Sequence, residues 1–470
     1  MLKLIKRIPF PVSIPGILLF LMVPALVLIN SAKRGSVHSS LTNRDLYSLM
    51  SRLNLIQSFR GDISRQPPRI WIERLGLSLA KDLWKRQGSG IWWQGWAEDG
   101  NGYLLLPSYL WPHSTSKRLA DIELGGIVAI GTDVLHRQQL LQIVESDSAQ
   151  SIEISQPLTE FCLKKLINST AVKWNPDGLS SLGGSLAPLL QVAREGCIAL
   201  QLNGDQLHWH GVVGSRPMSS SPSNLRPKPL ASLSSFSFSK ESLMRPMLLS
   251  LSSTSSNLVF GNLLSRNIIK VPLETDYGLS RSAIQKLGNA PLNLSLISEQ
   301  KGKYLASIQL QLLLRGGLSQ WNSVMESLSN RLTSQGLTAS DSSSLISKDN
   351  AISNVKVWVN TEQGKSNVVG GWFWKKDKIG FNLLQLSLGA APNAEEDFSI
   401  PALTNDLSLR LLAEPRQLNK LGLLGDQWPV PLLMAKHLDL SLSPLQGSKP
   451  NANSWFWFKG KMSIGQLETP

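Results

Sequence analysis

The segment that most constrains this chain is its start, because the first 34 residues combine a short basic lead with a long uncharged stretch. Residues 8–29 contain no charged side chain and are mostly apolar. About 20 apolar residues in a helix, at about 1.5 Å per residue, are long enough to cross the hydrocarbon core of a bilayer. We therefore expect residues 1–34 to be an N-terminal membrane anchor with one transmembrane helix.

Two alternatives to an uncleaved anchor stay open, a cleaved signal peptide and a buried core helix. A signal peptide has an apolar region of about 7–15 residues followed by a small-x-small cleavage site. Here the apolar stretch is longer, and Asn30-Ser31-Ala32 follows it. Slightly more positive charge precedes the stretch than follows it, which favours a cytoplasmic N-terminus. We expect the bulk of the chain on the periplasmic or thylakoid-lumenal side of a membrane.

The composition indicates a folded, mildly basic protein. Hydrophobic residues make up 42% of the chain, which supports a real core, and charged residues only 17%. The net charge of +14 could attract anionic lipid, acidic glycans or nucleic acid. No compact Lys/Arg cluster with interleaved aromatic residues is present, so we do not expect nucleic acid as a partner. The partners we expect are the lipid bilayer and a membrane-associated protein.

One pattern recurs about three times along the chain: an apolar strand, a helix and a two-stranded hairpin. The units cover about 126–213, 292–374 and 407–464. Asn203-Gly204-Asp205 between two alternating runs is a strong hairpin signal. The sequence therefore predicts an α+β fold, in which antiparallel sheets are covered by helices. About three related strand-helix-hairpin units would follow one N-terminal transmembrane helix.

A Ser/Pro-rich stretch, 215–256, interrupts this pattern. Such a composition buries too little apolar surface to hold an ordered structure. We therefore predict that 215–256 is a linker. It would separate a first α+β domain, 41–214, from a second α+β domain, 257–470, which holds two of the units.

Aromatic residues mark the second strand of the hairpins, and neighbours in a strand point to opposite faces. One interpretation is that these side chains fill the core of a sheet covered on both sides. The other is that Trp372, Trp374, Trp455 and Trp457 lie at a membrane interface or line a groove for an apolar ligand.

The chain has two cysteines, Cys162 and Cys197. In an oxidising compartment they could form a disulfide, which closes a loop of about 35 residues and stabilises by about 3–4 kcal/mol. The alternative is two separate buried thiols. Neither cysteine has a second cysteine or a histidine at the spacing of a metal site.

The sequence contains no motif that indicates an enzyme active site. His208 and His210 share one face of a predicted strand and could present two imidazoles to a metal, but the nearest third ligand is Asp205, in the turn. The Gly-x-Ser-x-Gly elbow of a serine hydrolase is absent, and Ser-x-x-Lys occurs about as often as chance predicts. We predict no enzymatic activity, no cofactor and no metal site.

The anchor, the recurring units and the motif Leu411-Leu412-Ala413-Glu414-Pro415 before a Leu-rich helix resemble uncharacterised membrane-anchored proteins of cyanobacteria. That resemblance implies a bacterial inner or thylakoid membrane and supplies no catalytic residues. The function we expect is a membrane-anchored, non-enzymatic scaffold or assembly factor. The alternative is a protein that binds lipid or an apolar ligand on aromatic-lined sheet surfaces.

Overall fold

The computed structural model describes most of the chain between residues 40 and 464. The described ranges are 40–97, 100–112, 121–145, 156–175, 193–214, 247–264, 266–277, 279–299, 304–314, 317–342, 355–362, 364–376, 382–392, 407–424, 430–445 and 455–464. The predicted anchor, 1–34, lies outside the described residues, and so does the 215–246 part of the predicted linker.

All strands in the described residues belong to one 18-stranded sheet. They are β1 (Leu55–Arg60), β2 (Ile91–Trp96), β3 (Gly102–Pro107), β4 (Asp121–Glu123), β5 (Ile127–Ile130), β6 (Ala171–Trp174), β7 (Glu195–Asn203), β8 (Gln206–Gly214), β9 (Met247–Ser253), β10 (Leu292–Ser298), β11 (Ala306–Leu314), β12 (Thr338–Ser342), β13 (Val355–Glu362), β14 (Lys365–Lys376), β15 (Asn382–Leu388), β16 (Leu409–Ala413), β17 (Leu438–Pro444) and β18 (Trp455–Ser463).

Every pairing in this sheet is antiparallel, and the pairings define one continuous order. Across the sheet the strands follow as β4-β5-β3-β2-β1-β6-β7-β8-β18-β17-β16-β9-β10-β11-β15-β14-β13-β12. The last three strands of the chain are therefore inserted between β8 and β9. Strand β18 pairs with β8 along its whole length, from Trp455 opposite Gly214 to Ser463 opposite Gln206.

The helices of the described residues connect these strands. They are α1 (Ser40–Arg52), α2 (Arg69–Leu75), α3 (Leu77–Gln87), α4 (Val134–Glu145), α5 (Gln156–Asn168), α6 (Asn257–Leu264), α7 (Asn267–Thr275), α8 (Arg281–Gly288), α9 (Leu318–Ser334), α10 (Pro415–Lys420) and α11 (Val430–Leu433).

The two faces of the sheet differ in what covers them. We call the face that carries Cys197, His210 and Gln311 the front face, and the face that carries Trp209 and Leu312 the back face. At β1–β3 and β5, helices α1, α4 and α5 pack on the front and α2 and α3 on the back. From β6 to β14 the back face is a continuous apolar layer, on which α6 and α8–α11 pack.

Local sequence explains why these segments are strands. Apolar and polar residues alternate in β10 (LNLSLIS) and in β15 (NLLQLSL), which is the period of a pleated strand with two different environments. The predicted hairpin at Asn203-Gly204-Asp205 is confirmed, because Asn203 pairs with Gln206 and Gly204 takes the φ of +62° that a tight turn requires.

The predicted fold class is wrong. An α+β protein with several helix-covered sheets was expected, and the described residues form a single antiparallel sheet of 18 strands with eleven helices beside it. The sheet also runs through both predicted domains, 41–214 and 257–470. The end of the predicted linker needs correction as well, because β9, which lies inside 215–256, is a central strand between β16 and β10.

The expectation of a transmembrane helix is not supported by the described residues. In the part of the chain from residue 40 onward that the structure describes, no helix combines the length and hydropathy needed to cross a bilayer.

Candidate functional site

Two rows of mostly polar side chains cross the front face of the sheet, and we call them the polar rows. The strand registers define them over eight neighbouring strands, from β8 to β15. The first row holds His208, Lys461, Asp439, Leu412, Ser250, Ser295, Gln309 and Ser387 in that order. The second row holds His210, Lys459, Ser441, Arg410, Ser252, Asn293, Gln311 and Gln385.

The uncharged part of the polar rows is enclosed, although short polar side chains on one face of a sheet usually face water. Gln309, Gln311 and Gln385 are only 2–3% exposed. Hydrogen bonds join neighbours across the strands: the Ser252 hydroxyl donates to Asn293 Oδ1 at 3.2 Å, and Asn293 Nδ2 donates to Gln311 Oε1 at 3.5 Å. The polar rows therefore form a buried polar layer. Its side-chain hydrogen bonds help to fix the alignment of neighbouring strands that are far apart in the sequence.

An ion pair joins β16 and β17 within the rows. Arg410 Nε donates to Asp439 Oδ1 at 3.3 Å, and a terminal guanidinium nitrogen donates to Oδ2 at 3.0 Å. Both side chains are largely buried. Two parallel contacts between a guanidinium and a carboxylate set the relative position of the two strands as well as neutralising charge.

The rows end in a group of basic side chains, which we call the basic cluster: Lys165 on α5, His208 and His210 on β8, and Lys459 and Lys461 on β18. All are partly exposed. Lys165 Nζ lies 3.1 Å from His210 Nε2, so the ammonium donates and the neutral imidazole accepts. The pairing of β8 with β18 places His208 opposite Lys461 and His210 opposite Lys459.

Burial and positive neighbours lower several pKa values in the basic cluster. Desolvation, with contributions from Lys165 and Lys459, lowers the pKa of His210 to about 4. Desolvation and Lys461 lower the pKa of His208. Burial, together with the adjacent Lys164, lowers the pKa of the Lys165 amine. The two imidazoles are therefore neutral near pH 7, and the lysines carry the charge of the cluster.

A further titratable residue, Lys173 on β6, is buried between the front face of the sheet and helix α1. Its ammonium donates to the backbone carbonyl of Met50 and to Asn175 Oδ1. Met50 lies in the last turn of α1, where the helix dipole favours a cation. Burial lowers the pKa of Lys173 to about 7, against the attraction of Glu195, and burial also raises the pKa of the Glu195 carboxyl. These contacts hold the end of α1 on the sheet.

The four tryptophans of the apolar-ligand interpretation do not form one surface. Trp372 and Trp374 lie on the back face, in the cluster under α8 and α9. Trp455 and Trp457 lie on the front face, where Trp457 packs edge-on against Phe161 of α5 at 5.9 Å between ring centres. All four are buried, so the sheet separates the two pairs and neither pair faces outward.

The structure brings the two cysteines together. Cys162 on α5 and Cys197 on β7 face each other with their sulfur atoms in contact and their Cα atoms 5.7 Å apart. This Cα separation is within the range that disulfides adopt. A bond here would fasten α5 to the sheet beside the basic cluster.

The predicted shared face of His208 and His210 is confirmed, since the registers place them opposite Lys461 and Lys459 on the same face. Their surroundings were not predicted. Lysines contributed by β18 and α5 surround them, and no group of three potential metal ligands occurs among the described residues. The polar rows were also missed, although the Leu/Ser/Asn/Gln alternation of β9, β10, β11, β15 and β17 signals a sheet with one uncharged polar face.

Comparison with known proteins adds little. No protein-family model matches the chain, and no curated protein matches it. A solved structure described as crystal form III of TP0453 aligns with 47% of this chain and 92% of its own, at 11% identity and a TM-score of 0.23. So low a TM-score supports no conclusion about fold or function. What the structure itself defines is a protein built on one large antiparallel sheet with an internal polar layer and a basic cluster.

Proposed function

We propose that this protein is a non-enzymatic scaffold or assembly protein that rests against a membrane surface through helix α7. The observation that carries the proposal is the unusual exposure of this helix. None of its residues is buried, and Ile268 and Val271 are 81% and 49% exposed. Residues three apart lie on the same side of a helix, so the two side chains form one outward apolar patch.

The charges beside this patch suit an anionic lipid surface. Arg266 precedes the helix and Lys270 lies within it, next to Val271. A helix that combines outward apolar residues with basic neighbours binds at the headgroup region of a membrane. Helix α4 also exposes two apolar residues, Val134 and Leu135, but an acidic residue, Asp133, and a basic residue, Arg137, flank them. At α7 the flanking residues Arg266 and Lys270 are both basic, and the acidic residue of that helix, Glu274, pairs with Arg281 at 3.5 Å.

The sheet supports the scaffold part of the proposal. At about 4.8 Å per strand, 18 paired strands extend for roughly 80 Å along the curve of the sheet. Pairing between β8 and β18 ties the C-terminal strands into the first half of the chain. Such a body can hold partners at separated positions above a membrane. The alternative of an aromatic-lined ligand surface receives no support, because the four tryptophans are buried on opposite faces.

The test measures where α7 sits in the full chain when the protein is reconstituted into vesicles of phosphatidylcholine and phosphatidylglycerol. An environment-sensitive dye is attached to Cys in the Ile268→Cys variant, while Cys162 and Cys197 are buried and do not react. We expect a blue-shifted emission and quenching by a lipid-borne quencher. The Val134→Cys variant is the matched control, because it labels an equally apolar, exposed position on α4.

The proposal requires that the dye at position 268 enters the lipid and that the dye at position 134 stays in water. If both dyes remain in water, α7 is not a membrane contact. If both enter the lipid equally, the basic residues around α7 have no special role, and the proposal is wrong as stated.

A further inference from the structure

We infer that helix α11 is a second membrane contact, on the same side of the sheet as α7, so that the protein rests on an anionic bilayer with its back face toward the lipid. This inference rests on the proposed function and deepens it, because it fixes which face of the sheet is turned to the membrane. The argument starts from two exposed apolar patches with basic neighbours, one on α7 and one on α11.

The apolar part of the second contact is a pair of exposed side chains one helical turn apart. Val430 is 60% exposed and Met434 is 43% exposed. The Met434 amide donates to the Val430 carbonyl at 3.0 Å, which is the hydrogen bond of one α-helical turn. Residues four apart in a helix lie on the same side. The two side chains therefore form one outward patch, as Ile268 and Val271 do on α7.

The opposite side of α11 fixes it to the sheet. Leu432 and Ala435 are buried in the apolar cluster of the back face, together with Leu418 of α10. Helix α7 is held in the same way, because Leu273 and Tyr277, in and just after α7, pack against a cluster of the back face. Both helices therefore turn one side to the back face and leave an apolar patch on the side away from it.

Basic side chains lie beside the patch on α11. The Arg416 amide donates to the Ala435 carbonyl at 2.9 Å, so the start of α10 lies next to residues 434–436. Arg416, Lys420 and Lys436 are all exposed. Arg416 and Lys420 are four residues apart on α10 and share one side of that helix.

The charge balance around α11 is positive. Counted over the described residues 414–424 and 430–437, Arg416, Lys420 and Lys436 give three positive charges and Glu414 gives one negative charge, so the net charge is +2. Asp426 lies in 425–429, outside the described residues. An apolar patch with an excess of basic neighbours suits a surface of anionic lipid headgroups.

The topology places α7 and α11 over opposite ends of neighbouring strands. Helices α6–α8 connect β9 to β10, and helices α10 and α11 connect β16 to β17. Strands β9 and β16 are antiparallel neighbours, with Ser253 opposite Leu409 and Leu249 opposite Ala413. The first connection therefore begins at the Ser253 end of this pair and the second at the Ala413 end. At about 3.3 Å per residue these ends are roughly 13 Å apart along the strands, so the two contacts support the back face from its two ends.

The alternative is that these are ordinary exposed apolar residues, which are common on protein surfaces. Helices α7 and α11 differ from that background because each carries two apolar side chains on one side, with basic residues beside them, and both lie on the back face. The exposed pair of α4 lies on the front face, next to Asp133 as well as Arg137. Two contacts on one sheet also strengthen each other, because docking of the first holds the second close to the lipid.

The experiment uses the full chain in vesicles of phosphatidylcholine and phosphatidylglycerol, with the environment-sensitive dye attached to Cys in the Met434→Cys variant. We expect blue-shifted emission and quenching by a lipid-borne quencher, and less of both in vesicles of phosphatidylcholine alone. The Val430→Cys variant, labelled one turn away, repeats the measurement independently. Adding Lys436→Gln should lower the ratio of lipid-bound to water-exposed dye about fivefold, because one charge near an anionic surface is lost. The matched control is Lys164→Gln, which removes an exposed lysine from α5 on the front face and should leave the ratio unchanged.

The dyes at positions 268 and 434 separate this inference from the proposed function. Both dyes in lipid, with the dye at position 134 in water, support the inference. If the dye at 434 stays in water while the dye at 268 enters the lipid, the inference is overturned and the proposed function stands. If the dye at 434 enters the lipid and the dye at 268 does not, the proposed function fails, and the two-contact orientation fails with it. If Lys164→Gln reduces the lipid-bound fraction as much as Lys436→Gln does, the basic residues beside α11 have no special role and the inference is wrong.

Discussion

The sharpest stability prediction concerns Ser329, a buried hydroxyl on α9. Its Oγ accepts hydrogen bonds from two indoles, Trp358 Nε1 at 3.2 Å and Trp372 Nε1 at 3.1 Å. Replacing Ser329 with Ala would leave both donors buried without that acceptor. Each unsatisfied buried group costs about 1–3 kcal/mol, and the change gains back roughly 0.5 kcal/mol of helix propensity. We expect Ser329→Ala to lower the free energy of unfolding by about 2–5 kcal/mol.

The assay is urea unfolding followed by tryptophan fluorescence, and the matched control is Ser323→Ala. Ser323 is exposed on the same helix, so this change has the same helix-propensity gain and removes no buried contact. The difference between the two variants isolates the effect of the two indole donors. In a Trp358→Phe background, which lacks one of the two indole donors, Ser329→Ala should lower the free energy of unfolding by about half as much. The packing cost of the smaller Phe ring is not part of this comparison. If Ser329→Ala unfolds at the same urea concentration as Ser323→Ala, the two hydrogen bonds contribute nothing and the reasoning fails.

Three further predictions follow from single contacts. Gly460→Ala should lower the free energy of unfolding by about 1–3 kcal/mol, because the new Cβ atom would overlap the ring of Trp209. An unchanged unfolding midpoint in urea would show that the Trp209 ring moves aside at no cost. Mass spectrometry of the protein purified without reductant should show a peptide linked through Cys162 and Cys197, and two alkylatable thiols after unfolding would show instead that no bond forms. Because the pKa of Lys173 falls from 10.5 to about 7 on folding, the unfolded chain binds more protons between these values, so the free energy of unfolding should rise with pH from 7 to 10. Lys173→Met should remove that part of the rise, and an unchanged slope would contradict the assignment.

Much of the local structure was predictable from the sequence. The Asn-Gly turn between β7 and β8 is present, and the sequence of helix α9 places apolar residues three and four positions apart from Leu318 onward, which is the period of an amphipathic helix. The shared face of His208 and His210 follows from the period of a strand alone. These features depend on residues within a few positions of each other, so backbone geometry and turn chemistry decide them.

The candidate site was not predictable to the same degree. The sequence shows two histidines in one strand, but the lysines that surround them come from α5 and from β18, about 250 residues further along the chain. The tryptophans show the same limit. Their positions in strands could be read from the sequence, but that Trp374 and Trp457 lie on opposite faces depends on the register of every strand between them.

By itself, the sequence determined several of the strands and the Asn-Gly hairpin turn, the alternation of apolar and polar residues within strands, and that the chain is basic with a long uncharged N-terminal stretch. The tertiary structure alone decided that all 18 strands join one sheet, that β16–β18 enter between β8 and β9, and that the polar sides line up in two rows. The physical reason is that alternation is a property of neighbouring residues, whereas the choice of strand partner is not local. It depends on the packing of the shared Leu-rich back face and on matching hydrogen bonds across strands that are far apart in the chain.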